Sequence, residues 1–195
     1  MTRGSSGAAA MSNNVYQMIA RALAEYARCI DDDRLEEWPN HFHGACVYKI
    51  TTAANYRDGL EAGIIFANSR GMLTDRVSAL REANIYERQS YRHILGQPSM
   101  LSEDKGEVRS ETPFLVARIL QDGDTDIFAT GRYLDLYKLE DGEAKLNERI
   151  VVCDSSRPSH FPSDMRGRAR VRARGQYSGS AVGAHLKLTS ASITV

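Results

Sequence analysis

The sequence predicts an α+β fold, with helices first and a long antiparallel β-meander after them. Apolar residues recur at three- and four-residue steps through the first third of the chain. Beyond Leu80 the period changes to two, and turn-forming sequences punctuate the alternating segments. Helices do not alternate with the later strands, so a parallel doubly wound sheet is disfavoured, and no internal repeat is visible.

The first helix is predicted from Asn14 to Ile30, where Val15, Met18, Ile19, Ala22, Leu23, Tyr26 and Ile30 make one apolar face and Ser12 or Asn13 can act as N-cap. "DDDRLEEWPNHF" then gives a short acidic helical turn. It is expected to stop at Trp38, because Pro39 disfavours helical geometry in the residue before it. "ACVYKIT" reads as a strand and residues 55–68 are ambiguous. Met72, Leu73, Arg76, Val77 and Leu80 mark a second helix. "YRHILG", "PSMLSE", "EVRSETPFLVARIL", "TDIFATGRYLDLYKL" and "AKLNERIVVCD" follow as strands, separated by "EDKGE", "QDGDT" and "EDGEA". Asp-Gly in two of these turns supplies the positive-φ residue of a tight hairpin, so consecutive strands are expected to pair antiparallel.

The chain of 195 residues suits one domain with a real hydrophobic core. It carries neither an apolar run long enough to cross a bilayer nor a basic, then hydrophobic, export signal, so a cytoplasmic protein is expected. Cys29, Cys46 and Cys153 are odd in number and far apart, which fits reduced thiols and not a disulfide framework. The formal net charge of zero hides an asymmetry. Residues 1–156 hold 18 Lys and Arg against 24 Asp and Glu, or −6, whereas residues 157–195 hold 7 against 1, or +6.

The chemical motifs are mostly incomplete. "HFHGAC" offers His41, His43 and Cys46 as metal ligands, but Pro39 and Gly44 place them in a loop leading into a strand, and a metal needs three or four convergent groups. The cysteines and histidines lack the paired spacing of a Rieske centre, and no histidine pair has the helical spacing of a mononuclear iron site. The glycines of "DGLEAG" and "RGQYSGS" do not link a strand to a helix as a phosphate loop does. No serine or cysteine has a base at motif spacing. Asp75, Tyr86 and His93 remain candidates for acid–base catalysis in a pocket, against the alternative that His93 is a hydrogen-bonded structural residue.

"MLTDRVSALREANIYERQSYRHILGQPS", together with "DGLEAGI", "WPNHF", "TPFLVARI", the Cys46-x-Tyr48 pair and "ERIVVCDS", resembles the small (β) subunit of bacterial aromatic-ring-hydroxylating dioxygenases. The resemblance runs from about Val15 to Ser156, and terephthalate-type members are nearest in pattern. It implies a nuclear-transport-factor-2-like (SnoaL-like) cone, with the helices packed in a curved antiparallel sheet. It also implies a non-catalytic subunit with no cofactor or metal of its own and no catalytic residue. The partner would be the dioxygenase large (α) subunit, in an α3β3 assembly. That subunit would hold the Rieske iron–sulfur cluster and the mononuclear iron, with NAD(P)H electrons arriving through a reductase. The implied complex acts on an aromatic carboxylate.

Under this resemblance the charge-rich segment 74–96 becomes a candidate subunit interface. Arg76, Arg81, Arg88 and Arg92 suit bidentate contacts with carboxylates, and Tyr86 and Tyr91 suit anchors. Solvated pairing within the chain, as at Arg81–Glu82 and Glu87–Arg88, is the competing reading. The classes still in competition are a free-standing cone-fold isomerase or dehydratase and a non-catalytic binding module. Residues 1–13 are expected to be a disordered leader or tag remnant, with Met11 as a native start, and residues 14–156 form the β-subunit domain. Residues 157–195 depart from the family pattern. Their alternating arginines lack interleaved aromatics, so no nucleic-acid partner is inferred. A disordered basic tail or translation in a shifted frame accounts for them.

Overall fold

A computed structural model describes residues 5–60, 63–83 and 89–154. Helix α1 (Ser5–Asp31) leads into a 3₁₀ turn (Trp38–His41) and strand β1 (Phe42–Thr52). Helix α2 (Ala53–Arg57), strand β2 (Ile65–Ala67) and helix α3 (Arg70–Ala83) follow. Five strands complete the described chain: β3 (Ser90–Leu95), β4 (Ser99–Asp104), β5 (Glu107–Ile119), β6 (Thr125–Glu140) and β7 (Glu143–Cys153).

The buried face of α1 is the one the periodicity marks, with Val15, Ile19, Leu23, Tyr26 and Ile30 all in the core. Its start differs from the expectation. The helix begins at Ser5, so the leader proposed for residues 1–13 is helical from that point and Ser12 and Asn13 lie inside the helix. Ala8, Ala9 and Ala10 are strong helix formers, and they prolong a helix whose apolar stripe begins only at Val15. At the other end Asp33 takes φ 58°, and Arg34 N–H donates to the Cys29 carbonyl, which closes the helix. Trp38, expected as the end of a helical turn, is instead the first residue of a 3₁₀ turn. Pro39 is tolerated there because the first turn needs no N–H from it.

The strands make one seven-stranded sheet in the order β2-β1-β7-β6-β5-β3, with β4 beside β3 along the same side of β5. Strands β4, β5 and β6 each pair antiparallel with the next, as expected. β3 and β4 do not pair with each other. Both lie on β5, against Phe114–Ile119 and Glu107–Glu111 respectively, as two halves of one edge interrupted at Gly96-Gln97-Pro98. One ladder is parallel: β1 runs beside β7, with Thr52 opposite Cys153. The ambiguous region resolves into α2, N-capped by Thr52 Oγ1 accepting from Asn55 N–H at 3.1 Å, and the short edge strand β2.

The two-residue turns with both residues at positive φ are Lys105–Gly106 (47° and 79°) and Asp141–Gly142 (52° and 78°), the mirror-image geometry that matches strand twist. At Asp122–Gly123 only the glycine is left-handed, at 91°, and the connection is a longer loop closed by Leu120 N–H on the Asp124 carbonyl.

The sheet curls so that one face encloses α1. Val108, Phe114, Val116, Tyr133 and Val151 from this inner face share one core with Ile19, Leu23 and Tyr26 of the helix, and Trp38, Phe42 and Tyr48 join it in edge-to-face contacts. Gly131 makes the curvature possible. A Cβ there would lie 2.2 Å from the Val152 carbonyl oxygen and 2.9 Å from Phe114 Cζ, the ring that stacks on Tyr133 at 4.5 Å. Gly131→Ala is therefore expected to cost about 1 to 3 kcal/mol. Urea unfolding checks this, and an unchanged midpoint would remove the steric reason for the glycine.

Candidate functional site

Inside the cone the strand alternation brings together residues that no local motif connects. Arg149 on β7 and Asp135 on β6 are register partners on the inner face. Both side chains are fully buried and make a bidentate pair, Nε–H to Oδ1 at 2.8 Å and Nη2–H to Oδ2 at 2.7 Å. Tyr137 Oη donates to Asp135 Oδ2 at 3.1 Å and accepts from Arg149 Nη2–H at 3.2 Å. The guanidinium lies against two rings, its Cζ 4.0 Å from the Tyr26 centroid and 4.1 Å from that of Tyr133. Burial opposes the charge on Arg149, but Asp135 outweighs it and holds the guanidinium protonated well above its ordinary range. Burial also pushes the Tyr48, Tyr133 and Tyr137 phenols well above theirs, so all three stay neutral.

The centre has the chemistry of a structural clamp. Its cation is neutralised by its own carboxylate, and its phenols are far from any pKa suited to proton transfer near neutrality.

The motif residues do not converge. His41 ends the 3₁₀ turn against the Tyr26 ring at 5.7 Å, His43 sits 3.8 Å from Glu140, and Cys46 is buried in the core. Among the described residues no group of three or more His, Cys, Asp or Glu side chains is placed to hold a metal. Burial raises the thiols, to about 11 for Cys29 and Cys153, which keeps them protonated and unreactive.

Of the acid–base candidates, Asp75 is exposed on α3, Tyr86 lies outside the described residues, and His93 is buried on β3. His93 is held by a residue that the sequence reading passed over. Asp31, the last residue of α1, meets His93 Nδ1 at 2.6 Å and accepts its backbone N–H at 3.0 Å. Helix end and sheet edge are thereby tied together, as a structural histidine would tie them. Asp31 looks in the sequence like one more acid of a solvated run, and only the curl of the sheet brings β3 to it.

The proposed interface residues fall in different places. Arg81 is committed within the chain: Nε–H donates to Glu36 at 2.7 Å, Nη1–H to Asp33 at 2.9 Å and Nη2–H to the Asp33 carbonyl at 2.8 Å. Its in-chain partners are thus the acidic turn, across 45 and more residues of sequence, and not the adjacent Glu82. Arg76 is half-buried on α3, and Tyr91 points inward against Phe128 at 5.2 Å. Arg92 points outward, 3.6 Å from Asp31 and largely exposed. Tyr86 and Arg88 lie outside the described residues, as does the basic segment 157–195.

With this geometry in hand, the relatives are informative. Residues 25–158 match the family model described as the ring hydroxylating beta subunit. The chain belongs to that family. Over 138 residues it is 52% identical to the terephthalate 1,2-dioxygenase terminal oxygenase component subunit beta 1 of a Comamonas species, spanning 71% of this chain and 90% of that one. It is 33% identical over 132 residues to the anthranilate 1,2-dioxygenase small subunit of Burkholderia cepacia, spanning 68% and 82%. The fold matches the crystal structure of the β subunit of a candidate aromatic-ring-hydroxylating dioxygenase from Novosphingobium aromaticivorans. The TM-score is 0.71 at 34% identity, over 75% of this chain and 94% of that one. The α+β cone expected from the resemblance is the fold observed. Family membership makes this chain the non-catalytic subunit of an oxidoreductase, and a β subunit has a large, α subunit as its partner. No helix among the described residues is long and apolar enough to cross a membrane.

Two outcomes are expected from the buried centre. Arg149→Met alone strands the Asp135 carboxylate and should lose about 3 to 5 kcal/mol, whereas adding Asp135→Leu should recover most of it. Denaturant unfolding of both variants reads the difference, and a double variant as unstable as the single one would overturn the clamp. His41 supplies the second. Burial, with the Arg149 and Lys145 charges, lowers its pKa to about 4. The unfolded chain therefore binds a proton that the folded one refuses, and stability falls as the pH drops from about 6.5 toward 4. His41→Phe should flatten the change in melting temperature between pH 6.5 and 5, and an unaltered slope would count against it.

Proposed function

We propose that this chain is the β subunit of a terephthalate-type dioxygenase, holding catalytic large subunits together in an α3β3 assembly in the cytoplasm. The complex would add dioxygen to an aromatic carboxylate, giving a cis-dihydrodiol or hydroxylated product for catabolism. The observation that carries the reading is the 52% identity extending over 90% of the Comamonas terephthalate subunit. The anthranilate relative also acts on an aromatic carboxylate, which favours that substrate class over a neutral arene. In this reading the Rieske cluster and mononuclear iron belong to the large subunit, and a separate reductase delivers electrons from NAD(P)H.

The division of labour suits the chemistry of this chain. Its buried ionisable groups are paired or held neutral, its thiols are protonated, and its core is closed by aromatic packing. Such a body transmits position and not protons. Of the six candidate interface residues, Arg92 faces outward and fits a contact with a carboxylate of the neighbouring subunit. Arg81 supports the interface indirectly, by fixing the acidic turn after α1.

Co-expression with the large subunit of the same dioxygenase, followed by a panel of terephthalate, anthranilate, benzoate and an uncharged arene, tests the reading. The expected result is a co-purifying complex that consumes an aromatic carboxylate in the presence of reductase and NAD(P)H, with no turnover by this chain alone. Isomerase or dehydratase turnover by the isolated chain would overturn it in favour of a free-standing cone-fold enzyme.

A further inference from the structure

A guanidinium has five N–H bonds to place, and the clamp at the centre of the cone uses three of those on Arg149. Nε–H meets Asp135 Oδ1, and Nη2 gives its two hydrogens to Asp135 Oδ2 and Tyr137 Oη. Nη1 carries the other two, and it has no hydrogen-bond partner among the described residues. Three hydroxyls of the same inner face share that condition: Ser110 Oγ, Thr112 Oγ1 and Tyr133 Oη. The ladder makes them neighbours. Ser110, Asp135 and Arg149 stand opposite one another across β5, β6 and β7, and Thr112, Tyr133 and Val151 form the adjoining row. Opposed side chains on one face of a sheet start about 5 Å apart at Cβ. The unmatched atoms therefore belong to one patch of two rows on three strands, in which Thr112, Tyr133 and Arg149 have 0% exposure.

A buried donor or acceptor that meets nothing gives up its hydration without return, and a charged N–H gives up more than a hydroxyl. We propose that this patch is an internal binding site for water, which accepts from Arg149 Nη1–H and bridges to the hydroxyls of Tyr133, Thr112 and Ser110. The proposal does not depend on the β-subunit reading.

The chemistry of the patch selects the ligand. It must accept a hydrogen, because Nη1 can only donate, and this excludes ammonium and metal cations. It must be uncharged, because Asp135 already neutralises the guanidinium and burial keeps the Tyr133 phenol neutral. It must also be small, since the side chains that would hold it are closed to solvent between the sheet and α1. Water donates two hydrogens and accepts two, which suits hydroxyls able to do either, and internal water commonly has about three partners. The site also gives a reason for the composition of β5. Its inward positions run Val108, Ser110, Thr112, Phe114 and Val116, so two hydroxyls interrupt an otherwise apolar series beside the clamp.

Two measurements on the full chain test the site. A crystal structure should show a solvent peak within about 3.2 Å of Arg149 Nη1 and of at least one of the three hydroxyls. Ordered side chains with no peak between them overturn the proposal. The second measurement is a thermal melt of Thr112→Val, which keeps nearly the same shape, and of Tyr133→Phe, which keeps the ring against the guanidinium. Each change takes a partner from bound water, so the melting temperature is expected to fall by about 2 to 4 °C. A hydroxyl that merely lacks a partner behaves in the opposite way, because deleting it relieves a desolvation cost. A melting temperature that rises or stays the same in either variant therefore overturns the site.

Discussion

The buried pair of Arg149 and Asp135 is the constraint around which the cone is arranged. Two charges removed from water are tolerable only if they are paired, and that requirement shapes what surrounds them. Asp135 takes two N–H groups from the guanidinium and a phenolic hydrogen from Tyr137, while one ring from α1 and one from β6 lie against the guanidinium. Helix α1 is thus aligned with the sheet by a cation–aromatic contact, Tyr26 on Arg149, as well as by apolar packing. A helix held by leucines alone could slide by a turn at modest cost; a helix whose Tyr26 must sit on Arg149 cannot.

A second tie fixes the other end of the same helix. Asp31 meets the His93 ring and backbone, and the acidic turn that follows is gripped by Arg81 from α3. Two elements distant in sequence, α3 and β3, therefore converge on the eight residues after Arg28. This is what became of part of the charge density in segment 74–96: Arg81 and His93 anchor the chain to itself.

The helices and strands were legible because their periods are set by local geometry. Ile19, Leu23 and Tyr26 announce a helix, and Val108 to Val116 announce a strand buried on one side. The hairpin at Asp141–Gly142 was legible for a chemical reason, since few residues tolerate left-handed φ. The start of α1 was not, because polar and alanine-rich helix continues upstream without an apolar stripe. Nor was the parallel ladder between β1 and β7, because nothing local records which strand a strand will meet. The site shows the same division. The resemblance located the family, but Arg149 and Asp135 carry no motif. One hint was available: each is a charged residue at an inward position of an otherwise alternating strand, where a charge survives only with a partner.

The parallel ladder has a consequence for how the molecule forms. Thr52 pairs with Cys153, so the first long strand waits for the last described one before its open edge is closed. Closing a loop of this length is entropically slow, and ribosomal synthesis delivers the missing strand only after the elements between the two. Until then β1 presents unsatisfied backbone groups flanked by apolar side chains, a template for wrong pairing. For a subunit made to join other chains, this topology sets an order of events: the intramolecular closure must outrun the intermolecular encounter, and chaperone dependence during overexpression is the place where that race becomes visible.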